Sequence, residues 1–216
     1  MKLTVIKDEE QAETMQSNIA RFANTQNTIQ KADFVSNHPL HKQIEALSRR
    51  IPAPPSAITN TSSKWFYERV RGQYQTSIRG FKSSARAKNW EAEFPKKQKF
   101  SKMEMAKYEN IWRMNPHEVS KGQQFNLSAV GTKLMNEWDK NESSFNEPFY
   151  KDLISKAILF KHSDKAIFKS EWYKDSPGYK AQTVTYTISL LRYKLKSQKQ
   201  DLNLERIWKN QDLSKR

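Results

Sequence analysis

SKWFYERVRGQYQ, residues 63–75, decides how the rest of the chain is read. Phe66, Val70 and Tyr74 recur at four-residue steps. That is the spacing of one helix face, so the periodicity predicts a helix from Trp65 to about Ser77, in spite of Gly72. Read with period two, Trp65, Tyr67, Arg69 and Arg71 share one face of a strand, and that alternative stays open. On the helix, Trp65 with Arg69 and Tyr67 with Arg71 make aromatic–arginine pairs at i, i+4 on the flanks. Such pairs either lock one helix against another or grip a nucleic-acid backbone and stack on its bases. Packing is the first expectation and binding the second. Glu68, between these arginines and without a nearby histidine or second carboxylate, reads as an ion-pair anchor and not as a general base.

The charge around this stretch keeps binding in view. The 216 residues hold 38 Lys and Arg against 23 Asp and Glu, a net charge of +15. From Lys64 to Lys107 twelve basic residues face four acidic ones, whereas from Met1 to Arg50 seven face six. An excess concentrated in this way favours a polyanionic partner, DNA or RNA first, against the plainer reading of a solvated basic surface. The candidate nucleic-acid-binding residues are therefore Trp65, Tyr67, Arg69, Arg71, Lys96, Lys97 and Lys99.

Other classes fall away. A mean hydropathy of −0.92 is polar, but 12% aromatic residues argue for a folded core. With no cysteine, disulfides and thiolate metal sites are excluded. No apolar run approaches the ~20 residues of a membrane helix, and no secretory leader follows Met1, which together point to the cytoplasm and away from a membrane. Walker, GxGxxG, HExxH and GxSxG patterns are missing, and five glycines leave little for phosphate-cradling loops. His38 and His41 stand one helical turn apart, but nothing nearby is spaced to complete a metal site, so they read as helix-terminal histidines. No catalytic residue, metal or cofactor is expected from these patterns.

The remaining periodicities are mainly helical. LTVIK (3–7) alternates like a strand, and Ala12, Met15, Ile19 and Phe22 mark a helix from Asp8 to Thr25. Asn37 reads as an N-cap with Pro39 in the first turn and Leu40, Ile44 and Leu47 as the buried stripe. IPAPPSAITNTSS (51–63) is a loop. Further helices are predicted over Ser83–Phe94 and from Ser101, where Glu104 completes a capping box, to about Met114. Others follow over Phe125–Trp138, from Pro148 through Phe160, around Ile167 and Trp172, and around Leu204–Trp208. AQTVTYTISLL (181–191) fits both periods, but its unbroken continuation favours a helix. The expected fold is a mainly α domain with a short N-terminal strand whose sheet is completed elsewhere. Residues 1–63 form a strand and two helices ending in a Pro-rich loop, and 64–216 form a basic helical region packed with them as one domain.

Several stretches, in order, resemble the C-terminal part of bacterial abortive-infection phage-resistance proteins. They include ARFANTQNTIQKADFVSNHPLH (20–41), LSRRI (47–51), KWFYERVRGQY (64–74), PKKQKFSKMEMAKYENIW (95–112), PHEVSKGQQFN (116–126) and WYKDSPGYKAQTVTYTI (172–188). The resemblance implies an antiphage defence role and a longer protein, with a nuclease-like region and an Asn/Gly-rich segment ahead of the counterpart of Ala20. This chain has neither. The expectation is a helical module that contacts nucleic acid, or else a structural piece completing a larger defence enzyme whose catalysis lies in an N-terminal or separately encoded region. A free-standing nuclease ranks last, for want of a motif.

Overall fold

The computed structural model describes residues 15, 36–54, 62–174 and 179–210. The LTVIK strand and all but Met15 of the helix expected over 8–25 lie outside these residues.

The first described helix, α1 (Pro39–Arg50), starts one residue later than a cap at Asn37 would place it. His38, not Asn37, is the N-cap, and its Nδ1 accepts the Leu40 amide at 3.2 Å. Leu40, Ile44 and Leu47 form the buried stripe as read. The chain then enters β1 (Phe66–Glu68), not the predicted helix. After β1 come α2 (Gln73–Arg79), α3 (Ser84–Glu93) and a short 3₁₀ turn, and then β2 (Lys99–Ser101), which pairs with β1 in parallel. The register sets Phe66 against Lys99, Tyr67 against Phe100 and Glu68 against Ser101. A parallel pair needs a long connection, and α2–α3 is that crossover.

Helices dominate the rest: α4 (Lys102–Trp112), α5 (Pro116–Ser120), α6 (Gln123–Lys140), α7 (Glu147–Lys169), α8 (Glu171–Lys174), α9 (Lys180–Ser197) and α10 (Leu204–Lys209). The capping box at α4 is complete, with the Ser101 hydroxyl on the Glu104 amide and the Glu104 carboxylate on the Ser101 amide. Ile167 belongs to the end of the 23-residue α7, so only Trp172 sits on the short helix that follows. The ambiguous 181–191 stretch is helical. Among the described residues, no helix is long and apolar enough to cross a membrane.

The main core gathers α1, α4, α6, α7 and α10 around Tyr67, Phe100, Leu134, Tyr150 and Leu153. Two ties fix its outer helices. Arg113 donates twice to the Glu137 carboxylate, at 2.7 and 2.8 Å, joining α4 to α6. Ser155 donates to the Leu204 carbonyl at 2.9 Å, holding α10 on α7. Ile111, Val184 and Ile188 form a smaller cluster under α9.

Candidate nucleic-acid interface

Strand β1 is buried on both faces. Trp65 and Tyr67 point into the main core, while Phe66 points the other way into a satellite core with Tyr74 and Phe94. Alternation along a strand therefore splits three consecutive rings between two cores. Trp90 and Ile78 close the satellite, and Phe66 meets Tyr74 edge-on at 5.1 Å and Trp90 at 5.4 Å. Phe66 and Tyr74 do share a face, but through a strand, a turn and a helix. Gly72, at φ +83°, makes that turn, a conformation that side-chain-bearing residues rarely adopt. Val70, which the helical reading set on one face with Phe66 and Tyr74, is 46% exposed.

Polar contacts hold the crossover to the sheet. One Glu68 oxygen accepts the Tyr74 amide at 3.2 Å, and the other pairs with Lys99 at 3.2 Å. Glu68 is thus the anchor expected of it. The Tyr74 hydroxyl donates to the Phe94 carbonyl at 2.8 Å, and Lys64 reaches Glu93 at 2.7 Å. Arg49, from α1, lies 3.5 Å over the Phe66 ring and donates to the Tyr67 carbonyl at 3.2 Å. Its burial lowers the guanidinium pKa, which the Glu45 carboxylate opposes.

This architecture sorts the candidate residues into two groups. Trp65 and Tyr67 are buried, so neither ring has a free face to stack on a base, and both pack in the core, the first of the two expectations for them. The cation over Trp65 is Lys161 of α7, at 4.9 Å, and not Arg69. Lys161 also donates to the Lys97 and Lys99 carbonyls, both at 2.8 Å, and burial lowers its pKa to about 8. Arg69 is turned inward as a latch, with Glu45 at 2.6 Å and the Ser36 carbonyl at 3.0 Å. Lys99 is engaged with Glu68 and lies 5.6 Å over the Tyr74 ring. Arg71, Lys96 and Lys97 are exposed.

Four further cations lie on the same connection. Arg79, Lys82, Arg86 and Lys88, all on the crossover, are exposed as well. None of the seven exposed cations forms an ion pair with a described residue. From Arg69 to Lys99 nine basic residues face only Glu91 and Glu93, and Glu93 is taken by Lys64. The regional charge count contained this signal, but without the crossover nothing singled these four out. Beside the lobe, Arg69, Arg71, Lys102 and Lys107 line a groove of about 690 Å³, which Glu68 and Glu104 also enter. Lys107 lies 4.0 Å over the Phe160 ring, and burial lowers its pKa. His38 and His41 do not converge on a shared ligand position: His38 Nδ1 caps α1, while His41 Nδ1 meets the Tyr67 hydroxyl at 2.6 Å.

The model of one protein family, described as AIPR protein, matches residues 1–216. No curated protein and no solved structure matches the chain.

Proposed function

The chain belongs to the AIPR (abortive infection phage resistance) family, and on that premise we propose that it acts in antiphage defence as a helical module holding nucleic acid on its basic crossover lobe. One observation carries the reading: seven exposed cations, none paired with a described residue, sit on the connection between β1 and β2. A surface that only kept the protein soluble would interleave both signs more evenly, whereas here nine basic residues face only Glu91 and Glu93. With Trp65 and Tyr67 in the core, the exposed groups of the lobe suited to nucleic acid are its phosphate-binding cations. It therefore contacts the backbone of DNA or RNA and reads little sequence.

Filter binding of single- and double-stranded oligonucleotides to the folded chain tests this. Binding at 50 mM salt that weakens steeply towards 200 mM is the expected result. A folded protein that binds neither at 50 mM salt would refute the reading.

A further inference from the structure

Helix α9 has two unlike faces. Val184, Thr185, Ile188 and Ser189 are buried, and Ser189 donates to the Ile111 carbonyl on α4 at 3.0 Å. The outward face carries Tyr186, Leu190, Tyr193 and Ser197, at steps of four, three and four, with Tyr179 seven residues before Tyr186 and the half-buried Thr183 between them. Tyr186, Leu190 and Tyr193 are 47%, 53% and 62% exposed. Isolated exposed apolar side chains are ordinary, but Tyr186, Leu190 and Tyr193 side by side on one face mark a docking surface. Its alternating four-three spacing averages 3.5 residues, the repeat that keeps a seam aligned against a second helix.

Charge selects the occupant. No Asp or Glu occurs from Lys180 to Gln200. Lys194 and Lys196 flank the stripe at the two positions through which paired helices read each other's charge. Arg192 is already committed, 3.1 Å from Asp201 and 4.1 Å over the Trp112 ring. A second copy of α9 would offer these lysines no carboxylate. Nucleic acid would suit the lysines, but it needs neither the leucine nor the four-three spacing. The geometry points to α9 as a docking face for a partner helix with an apolar stripe and acidic flanks.

The test uses the full chain and a fluorescein-labelled 21-residue peptide with Leu at the two seam positions of each heptad and Glu at the two flanking ones. Fluorescence polarisation should show binding that falls at least tenfold in the Tyr186→Ser/Leu190→Ser variant. Both side chains are exposed, so the fold should survive their loss. A peptide with Lys at the flanks should bind at least tenfold more weakly, and Arg86→Gln/Lys88→Gln on the crossover should leave the Glu peptide's affinity unchanged. Failure of the Glu peptide to bind, or binding indifferent to the double-serine variant, would overturn the proposal. So would a dimer in sedimentation that this variant dissociates, which gives the face to a second copy. Loss of 20-nucleotide oligothymidylate binding in this variant, with binding retained in the crossover variant, would give it to nucleic acid.

Discussion

The Tyr67 hydroxyl lies 2.6 Å from His41 Nδ1, joining β1 to α1 inside the main core. His41 is buried, and its other ring nitrogen has no hydrogen-bond partner. Burial, together with the nearby Lys102 and Arg69 charges, lowers its pKa from 6.5 to about 3. The imidazole is therefore neutral in the fold, while the unfolded chain takes up a proton below pH 6.5. Stability from this residue is whole above pH 6.5 and is lost as the pH falls towards 3. Urea unfolding should show a loss of about 1.6 kcal/mol between pH 6.5 and 5. His41→Gln should flatten that part of the slope, whatever its effect at neutral pH. Equal slopes in the two proteins would show that the histidine is not the acid-sensitive group.

Trp65→Ala should act on the fold. The ring is 4% exposed and meets Phe100 edge-on at 6.2 Å. Truncating a buried ring of this size costs about 3–5 kcal/mol. Arg71→Gln, on the exposed side of the same segment, should stay within about 0.5 kcal/mol of the parent. Thermal melts of the two variants check the contrast. A Trp65→Ala protein of unchanged Tm would mean that the ring is not in the core.

Glu109 is buried between Lys156 at 2.5 Å and Arg113 at 3.4 Å. Lys156→Met should destabilise the protein by about 3 kcal/mol, because it leaves a buried carboxylate with one weaker partner. Adding Glu109→Leu should recover most of that loss, since Arg113 keeps Glu137. Chemical denaturation of the parent, single and double variants measures the coupling. A double variant no more stable than Lys156→Met would show that the stranded charge was not the cause.

Much of the helical framework was legible because single-faced helices repeat at 3.6 residues and carry local caps. Ser101 and Glu104 announced α4, and Leu40, Ile44 and Leu47 announced α1. Strand β1 was not legible for an equally physical reason. A strand buried on both faces has no alternation, and Phe66, Val70 and Tyr74 imitated a helical stripe by chance of spacing. Gly72 was the contrary sign. The binding candidates divided along the same line: Arg71, Lys96 and Lys97 reach the surface, whereas Trp65 and Tyr67 went into the core with the strand. The inward turn of Arg69 was not legible, because Glu45, its partner, is 24 residues away in sequence.

The lobe's exposed cations should set the salt dependence of nucleic-acid binding. Each phosphate neutralised by a lysine or arginine releases condensed counterions, so log K falls linearly with log salt, by about 0.9 per contact on duplex DNA. If six of the seven exposed cations engage at once, affinity should drop by about 10³-fold or more between 50 and 200 mM salt. Replacing Arg79, Arg86 and Lys88 with glutamine should weaken binding at low salt and reduce the slope by about one per lost contact. These side chains are exposed and pair with no described residue, so melting curves should stay close to the parent's. Lys99→Gln should differ, because Lys99 holds Glu68 at the base of the crossover. It should lower the melting temperature while changing the slope little. Filter binding across a salt series, with each variant's melt alongside, separates the two behaviours. A triple variant with the parent's slope would place any binding elsewhere on the molecule.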